Sequence, residues 1–292
     1  MRVPLPVVRT AVLIGSRPLG PPTPLRLQRL YLETQARLLG RTPSGTRVEQ
    51  VVLGGRPAER VTSATSQGTG PTVLWVHGGA FWTGSPRTHR VLAAHLAAAT
   101  GAPVLVPDYR LAPEHPHPAA VEDARAALAE LSADGPVVLG GDSAGGAIAL
   151  LLAQALRDDG APLPAALVLV SPLVDLTRAE SDAYRGPDPV VRRGWARDGT
   201  RAYLGGADAA ELSPLNRGLR GLPPVLVQTS SDERLRPEGA HLVDGLRAAG
   251  TDVTAEVLEG LWHDVHLQSH LVPEGAAAVR RMGAWIRDRV PA

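Results

Sequence analysis

The sequence predicts an α/β fold with a mostly parallel, eight-stranded sheet and helices on both faces. Short, fully apolar runs such as TVLWV and ALVLV are typical of strands that are buried on both sides. These runs alternate with amphipathic helical patterns, and that alternation indicates a parallel sheet with crossover helices. The helical patterns cover residues 87–100, 119–133, 143–158, 237–249 and 272–289.

Eight stretches carry a strand pattern, and the first two are predicted to form a hairpin. In chain order they are VEQVVL, AERVTS, TVLWVHG, APVLVPDYR, GPVVLGG, AALVLVSP, PPVLVQTSS and TAEVLEG. Residues 1–45 are rich in proline and contain one helical patch. Residues 176–218 are polar and break the alternation, so we expect an insertion over one edge of the sheet. In such sheets, ligands bind beyond the carboxyl ends of the strands.

The bulk composition excludes several classes of function. The formal net charge of +1, from 30 basic and 29 acidic residues among 292, gives no electrostatic argument for nucleic-acid binding. The absence of cysteine excludes disulfides, thiol catalysis and cysteine-ligated metals. No segment reaches the roughly 18 to 20 apolar residues of a membrane span. We therefore expect a cytoplasmic protein without stable membrane insertion, although surface attachment through the apolar N-terminal arm stays open.

The motif GGDSAGG, at a junction between a strand and a helix, points to a nucleophilic serine. It contains G-x-S-x-G, in which a sharp turn lifts the hydroxyl of Ser143 above the sheet. Gly141 and Gly145 flank the serine at the two positions that the turn brings together. The helix N-terminus adds free N–H groups beside the nucleophile. The alternative is a glycine-rich turn with an N-capping serine.

A second motif, HGGAFWTGS, follows the strand TVLWV and predicts an oxyanion hole. Its donors would be the main-chain N–H groups of Gly78, Gly79 and Ala80, together with the N–H of Ala144 after the nucleophile. His77 is expected to orient this loop rather than to transfer protons. A plain turn between strand and helix is the alternative.

A serine nucleophile needs a base and an acid, which in this chain order follow it as Asp or Glu and then His. His263 lies directly after the last strand and is the predicted base. Asp232, after the strand PPVLVQTSS, is the predicted acid, with Asp175 as its rival. Glu233 is expected to point away if Asp232 points in. The pair of histidines in HDVH lacks a suitably spaced third ligand, so we expect no metal. GGDSAGG matches neither the dinucleotide-binding pattern G-x-G-x-x-G nor a P-loop, so we expect no cofactor.

These motifs together resemble the hormone-sensitive-lipase-like esterases, bacterial family IV of the α/β-hydrolase fold. The resemblance rests on HGGAFWTGS, PDYRLAPEHPHPAAVEDA, GGDSAGG, SPLVD, SSDERLR and GLWHDVH, which occur in the family's order between about residues 72 and 290. It implies a carboxylic-ester hydrolase with Ser143, Asp232 and His263 as the triad. The departure is Ala80, where many members have a third glycine.

The resemblance also implies a domain organisation. Residues 1–45 would form the N-terminal part of a small helical cap on an α/β-hydrolase domain over residues 46–292, and the insertion at about 176–218 would complete the cap. The tract 110–118 would tie a loop beneath the active site. The partner is expected to be a small ester, and homodimers occur in the family.

Aromatic side chains near the motifs are candidates for an apolar substrate pocket. They are Phe81, Trp82, Tyr184, Trp195, Tyr203 and Trp262. Such a pocket suits short-to-medium acyl esters better than long triglycerides. The triad cannot separate an esterase from a lactonase, a deacetylase or an amide hydrolase. A receptor that binds a small molecule without turnover is the alternative from another class.

Overall fold

The computed structural model describes residues 3–66, 71–180, 188–192 and 194–290, and its eight-stranded sheet confirms the predicted α/β fold. The strand order is β1-β2-β4-β3-β5-β6-β7-β8, and β3 to β8 run parallel. The predicted hairpin of β1 and β2 is present, and β2 pairs antiparallel with β4. The strands are β1 Arg47–Leu53, β2 Arg56–Thr62, β3 Thr72–Val76, β4 Val104–Pro107, β5 Val137–Asp142, β6 Ala166–Val170, β7 Val225–Ser230 and β8 Val253–Leu258.

Five of the described helices follow strands at the positions that the amphipathic patterns predicted, and two others precede the sheet. The helices are α1 Leu5–Gly15, α2 Leu25–Leu39, α3 Pro86–Thr100, α4 Ala119–Ser132, α5 Ala144–Asp158, α6 Leu176–Glu180, α7 Trp195–Leu204, α8 Ala209–Leu212, α9 Arg236–Ala248 and α10 Pro273–Arg289. None of the described helices is both long enough and apolar enough to cross a bilayer.

The core forms two layers because the strands present alternate side chains to opposite faces. On one face Leu74 and Leu139 pack with α4, α5 and α9. On the other face Val73, Trp75 and Val138 pack with α3 and α10. This double covering explains why the central strands are apolar along their whole length.

The segment that breaks the strand and helix alternation contains α6, α7 and α8, followed by a short 3₁₀ helix. Helices α1 and α2 line a cavity together with the carboxyl ends of the strands. The candidate aromatic Tyr184 and part of the predicted insertion lie outside the described residues. The tract after β4 supports the loop that follows β3, since Ala112 N–H donates to the Phe81 carbonyl at 3.1 Å.

Candidate active site

Ser143 stands on a sharp turn between β5 and α5. Its backbone has φ 52° and ψ −119°, a conformation that costs an L-residue free energy and occurs mostly where the surrounding structure imposes it. A Cβ on Gly141 would lie 2.5 Å from the Gly145 carbonyl, and one on Gly145 would lie 2.0 Å from the Val76 carbonyl oxygen. The two glycines therefore permit the turn, as their spacing in the sequence predicted.

Gly78 and Gly79, in the loop after β3, line the same cavity as Ser143. No described residue accepts a hydrogen bond from the N–H of Gly79 or Ala80. Ala144 N–H opens α5, where N–H groups have no partner within the helix. Gly78 differs, because its N–H donates to the Asp142 carboxylate at 3.1 Å. The prediction of Gly78 as an oxyanion donor is therefore wrong for its N–H, which is already used inside the protein.

Asp142 joins three elements beneath the nucleophile. Its carboxylate accepts from Trp75 Nε1 at 2.7 Å and from Gly78 N–H, and it lies 3.0 Å from His89 Nε2. Burial opposes charge on both partners, but the attraction between them outweighs it. The pKa of Asp142 is lowered and that of His89 is raised. This buried pair fixes β3, the loop after it and α3 relative to the residue that precedes Ser143.

His77 has the orienting role that the sequence indicated. Its Nδ1 donates to the Gly78 carbonyl at 2.9 Å, and its ring stacks on Tyr109 with 4.2 Å between the centroids. Burial lowers the pKa of His77 to about 3, so the ring is neutral at physiological pH. A neutral, buried imidazole that bonds its own loop positions that loop.

His263 is buried directly after β8, and its acidic partner is Glu233. Glu233 Oε2 lies 3.1 Å from His263 Nδ1, and its Oε1 accepts from Ser230 N–H at 3.0 Å. The Glu233 side chain is fully buried, whereas that of Asp232 is 31% exposed and pairs with Arg9 at 2.6 Å. The prediction that Asp232 holds His263 is therefore wrong.

The physical reason lies in the backbone after β7. The strand ends at Ser230, and the chain then turns. Beyond the strand, neighbouring side chains no longer alternate between opposite faces of the sheet. Glu233 folds back over this turn and reaches the imidazole. The rival Asp175 instead fixes its own loop, where its Oδ1 accepts from Thr177 N–H at 3.1 Å.

A second carboxylate faces the other nitrogen of the same imidazole. Asp264 Oδ2 lies 3.0 Å from His263 Nε2, and Asp264 Oδ1 is buried without a hydrogen bond to a described residue. Burial alone would lower the pKa of His263, but Asp264 and Glu233 outweigh it and raise that pKa well above its usual value. Burial raises the pKa of Asp264 to about 7. His263 is thus a ring held between two carboxylates.

Ser143 and His263 both face one cavity of about 310 Å³. The hydroxyl of Ser143 makes no hydrogen bond to a described residue, which leaves it free to meet a ligand there. Most of the walls are apolar side chains of α1, α2 and the segment after His263. These include Val8, Val12, Leu19, Leu32, Leu39, Leu267 and Leu271.

Of the five described aromatic candidates, Trp195 alone lines this cavity. Phe81 stacks on Tyr203 with 4.0 Å between the centroids, and both are buried in the core. Trp262 is fully buried and donates to Gln268, while Trp82 packs partly buried against the core. The prediction that Phe81, Trp82, Tyr203 and Trp262 form the pocket wall is therefore wrong, because none of the four lines the cavity.

The sequence reasoning also missed functional neighbours. Asp264 and Glu233 are next to His263 and Asp232 in the sequence, which were predicted site residues. The sequence therefore indicated that they lie near the site, but not where their side chains point. His89 lies 53 residues from its partner Asp142, and no local pattern reports such a contact. The aliphatic side chains of α1 and α2 that line the cavity recur at helical spacing. This spacing indicates a helix, but it does not tell what the apolar side of the helix faces.

Comparison with known proteins agrees with this fold. A family profile described as alpha/beta hydrolase fold matches residues 73–267. An acetyl-hydrolase of Streptomyces hygroscopicus is 40% identical over 245 residues, which cover 81% of each chain. A crystal structure of an esterase from the bacterial hormone-sensitive lipase family superposes with a TM-score of 0.87 at 35% identity, over 99% of both chains. The protein EstE5, in a crystal soaked with p-nitrophenyl butyrate, gives a TM-score of 0.87 at 34% identity over 97% of both chains.

Proposed function

This chain belongs to the hormone-sensitive-lipase-like esterases of the α/β-hydrolase fold and is a carboxylesterase-type hydrolase, and we propose that it hydrolyses short-to-medium acyl esters through an acyl-enzyme on Ser143. The observation that carries the proposal is the strained turn at Ser143, which faces the same cavity as His263. His263 in turn has Glu233 at its Nδ1. These positions support the assignment of Ser143 as nucleophile, His263 as base and Glu233 as acid.

In the first half-reaction the Ser143 oxygen attacks the ester carbonyl carbon while His263 Nε2 takes the hydroxyl proton. Glu233 holds the imidazole through Nδ1 and stabilises its charged form. The tetrahedral intermediate collapses, the bond to the alcohol oxygen breaks, and His263 returns the proton to the leaving alcohol. In the second half-reaction water repeats the attack with the same base, and the carboxylic acid leaves Ser143.

The oxyanion would be held by the N–H groups of Gly79, Ala80 and Ala144. Each such donor contributes roughly 3 to 4 kcal/mol to lowering the barrier. Ala80 has φ 52° and keeps its N–H, so a third glycine is not needed for donation. The pair of Asp142 and His89 holds the loop after β3 in a fixed position relative to Ser143.

The size and chemistry of the cavity support a small apolar acyl group. A volume of about 310 Å³ with aliphatic walls has room for such a group and offers few polar partners. The similar proteins agree, since one is named an acetyl-hydrolase and another was soaked with a butyrate ester. We propose that α1, α2 and the segment 176–218 act together as a cap that sets this preference. A homodimer and a cytoplasmic location stay predictions.

The test is hydrolysis of p-nitrophenyl esters from acetate to palmitate by the wild type and by Ser143→Ala. We expect the wild type to turn over acetate and butyrate fastest, and we expect kcat of the variant to fall by about 10⁶-fold. The proposal would be contradicted if the folded wild type cleaved none of these esters. Lactones, acetylated compounds, amides and ligand binding without turnover would then be examined.

A further inference from the structure

Helices α1 and α2 expose an unusual concentration of apolar side chains. Of the eleven large hydrophobic side chains that are exposed among the described residues, nine lie on these helices or directly beside them. We call these nine side chains the N-terminal apolar surface. They are Val3, Val7, Leu13, Ile14, Leu27, Leu30, Leu38, Leu39 and Leu271.

The surface of α2 shows that this exposure exceeds what folding requires. Leu32, Ala36 and Leu39 face the cavity, which accounts for one apolar side of the helix. Leu27, Leu30 and Leu38 recur at helical spacing on a different side and are 46%, 62% and 74% exposed. A helix packed on a globular domain needs a single apolar stripe. The second stripe has no packing role within the described protein, and large exposed apolar patches mark interaction sites.

The charge around this surface differs from that of the rest of the chain. Residues 1–45 contain seven arginines and one acidic residue, Glu33, for a formal charge of +6. The other 247 residues therefore carry −5 of the total of +1. The balanced charge of the whole chain conceals this separation.

Several of these arginines are available to an external anion. Arg9 pairs with Asp232 and Arg29 with Glu114. Four others, Arg17, Arg26, Arg37 and Arg41, are exposed and form no ion pair with a described residue. Protein surfaces that combine basic side chains with exposed leucines bind peripherally to anionic lipids. The leucines enter the membrane interface, and the arginines contact the lipid headgroups.

We propose that the N-terminal apolar surface docks the protein peripherally on a membrane that contains anionic lipid. Leu39 and Leu271 belong both to this surface and to the wall of the cavity that contains Ser143. Docking would therefore place the cavity entrance against the lipid, where an apolar ester can enter without crossing water. A second copy of the chain fits less well, because a symmetric contact would set the exposed arginines of one copy against those of the other.

The test is flotation of the purified protein with two kinds of vesicle, pure phosphatidylcholine and a mixture with 30% phosphatidylglycerol. The wild type should bind the anionic vesicles at least tenfold more tightly, and 0.5 M NaCl should weaken that binding. The variant Leu27→Ser/Leu30→Ser/Leu38→Ser should lose at least tenfold of the affinity. The variant Arg17→Gln/Arg26→Gln/Arg37→Gln should lose the preference for the anionic mixture.

The matched control is Val52→Ser/Val257→Ser, which removes the two exposed large hydrophobic side chains on β1 and β8. It should bind vesicles as the wild type does. All variants should hydrolyse water-soluble p-nitrophenyl acetate within about twofold of the wild type, because none of the changed side chains lines the cavity. This readout separates failure of docking from failure of the proposed esterase activity.

Three results would overturn the proposal. The first is a wild type that does not bind the anionic vesicles. The second is equal vesicle binding by the leucine variant and the valine control. The third is a dimer in analytical ultracentrifugation that the leucine variant alone abolishes, since a second copy would then be the occupant of the surface.

Discussion

His263 Nε2 lies 3.0 Å from Asp264 Oδ2, so the nitrogen that would take the proton of Ser143 in the proposed mechanism already faces a carboxylate. This contact favours the imidazolium, which cannot act as a base. Catalysis therefore needs the proton to leave the ring and Nε2 to turn from Asp264 to the serine. Asp264 has φ 51°, and its backbone holds the carboxylate beside the ring.

Asp264→Asn should shift the pH profile of kcat/KM toward acid. The activity rises as His263 loses its proton, and the raised pKa of His263 puts that rise above pH 6.5 in the wild type. Removing one adjacent negative charge lowers the pKa of the imidazole. Asparagine tolerates the positive φ, so the backbone should stay in place. The measurement is kcat/KM for p-nitrophenyl butyrate between pH 5 and 9.

The control for this profile is Asp232→Asn, which removes a carboxylate that is bound to Arg9 at the surface instead of to His263. Its profile should coincide with that of the wild type. An Asp264→Asn profile that does not move, or that moves toward alkaline pH, would show that Asp264 does not hold the proton on His263 in solution.

Glu233→Gln should reduce kcat by about 10³ to 10⁴, because the amide cannot stabilise the imidazolium or enforce the tautomer that the base needs. Asp232→Asn should change kcat by less than about threefold, since a partly exposed ion pair contributes little to the structure. Steady-state kinetics of the two variants on p-nitrophenyl acetate compares them directly. A large loss in Asp232→Asn together with an active Glu233→Gln would restore the assignment made from the sequence.

The strands, the main helices and the serine turn were predictable because each depends on local chemistry. Alternating strand and helix patterns follow from burial on both faces of the sheet. The turn at Ser143 follows from Gly141 and Gly145, which are the residues that its geometry requires. Such features leave a signature within a few residues, and a single sequence contains it.

The side-chain directions in loops were not predictable in the same way. Asp232 and Glu233 are neighbours, and which of them reaches His263 depends on a turn whose form is set by distant contacts such as Arg9. Aromatic residues near the motifs were expected in the pocket, yet Phe81 is stacked in the core. Apolar character indicates burial, but it does not tell whether the buried side chain meets substrate or protein.

Trp195→Ala should move the substrate preference to longer acyl chains. Trp195 lines the cavity and packs with Leu19 and Ala80, so its removal lengthens the space available to an acyl group. We expect the ratio of kcat/KM for octanoate to that for acetate to rise roughly tenfold. The unfolding free energy should fall by about 3 to 5 kcal/mol, as for other buried tryptophans that are truncated. The p-nitrophenyl ester series measures the first effect, and urea unfolding measures the second.

Tyr203→Phe is the matched control for this change. Tyr203 is buried outside the cavity wall, and its hydroxyl lies 3.0 Å from His117 Nδ1. Its loss should cost about 1 kcal/mol of stability and leave the chain-length preference unchanged. If both variants change the preference alike, the effect reflects loosening of the protein and Trp195 does not set the acyl length.

His266→Gln should make the protein less sensitive to mild acid. Burial lowers the pKa of His266 to about 4, and its Nε2 bonds Gln228 Oε1 at 2.9 Å. Between pH 6.5 and 4 the unfolded chain binds a proton at this residue that the folded chain does not. Stability is therefore lost as the pH falls, by about 2 kcal/mol between pH 7 and 5. Glutamine can donate to Gln228 without titrating. In urea unfolding the variant should therefore lose about 2 kcal/mol less stability than the wild type between pH 7 and pH 5. Equal losses would contradict the role assigned to His266.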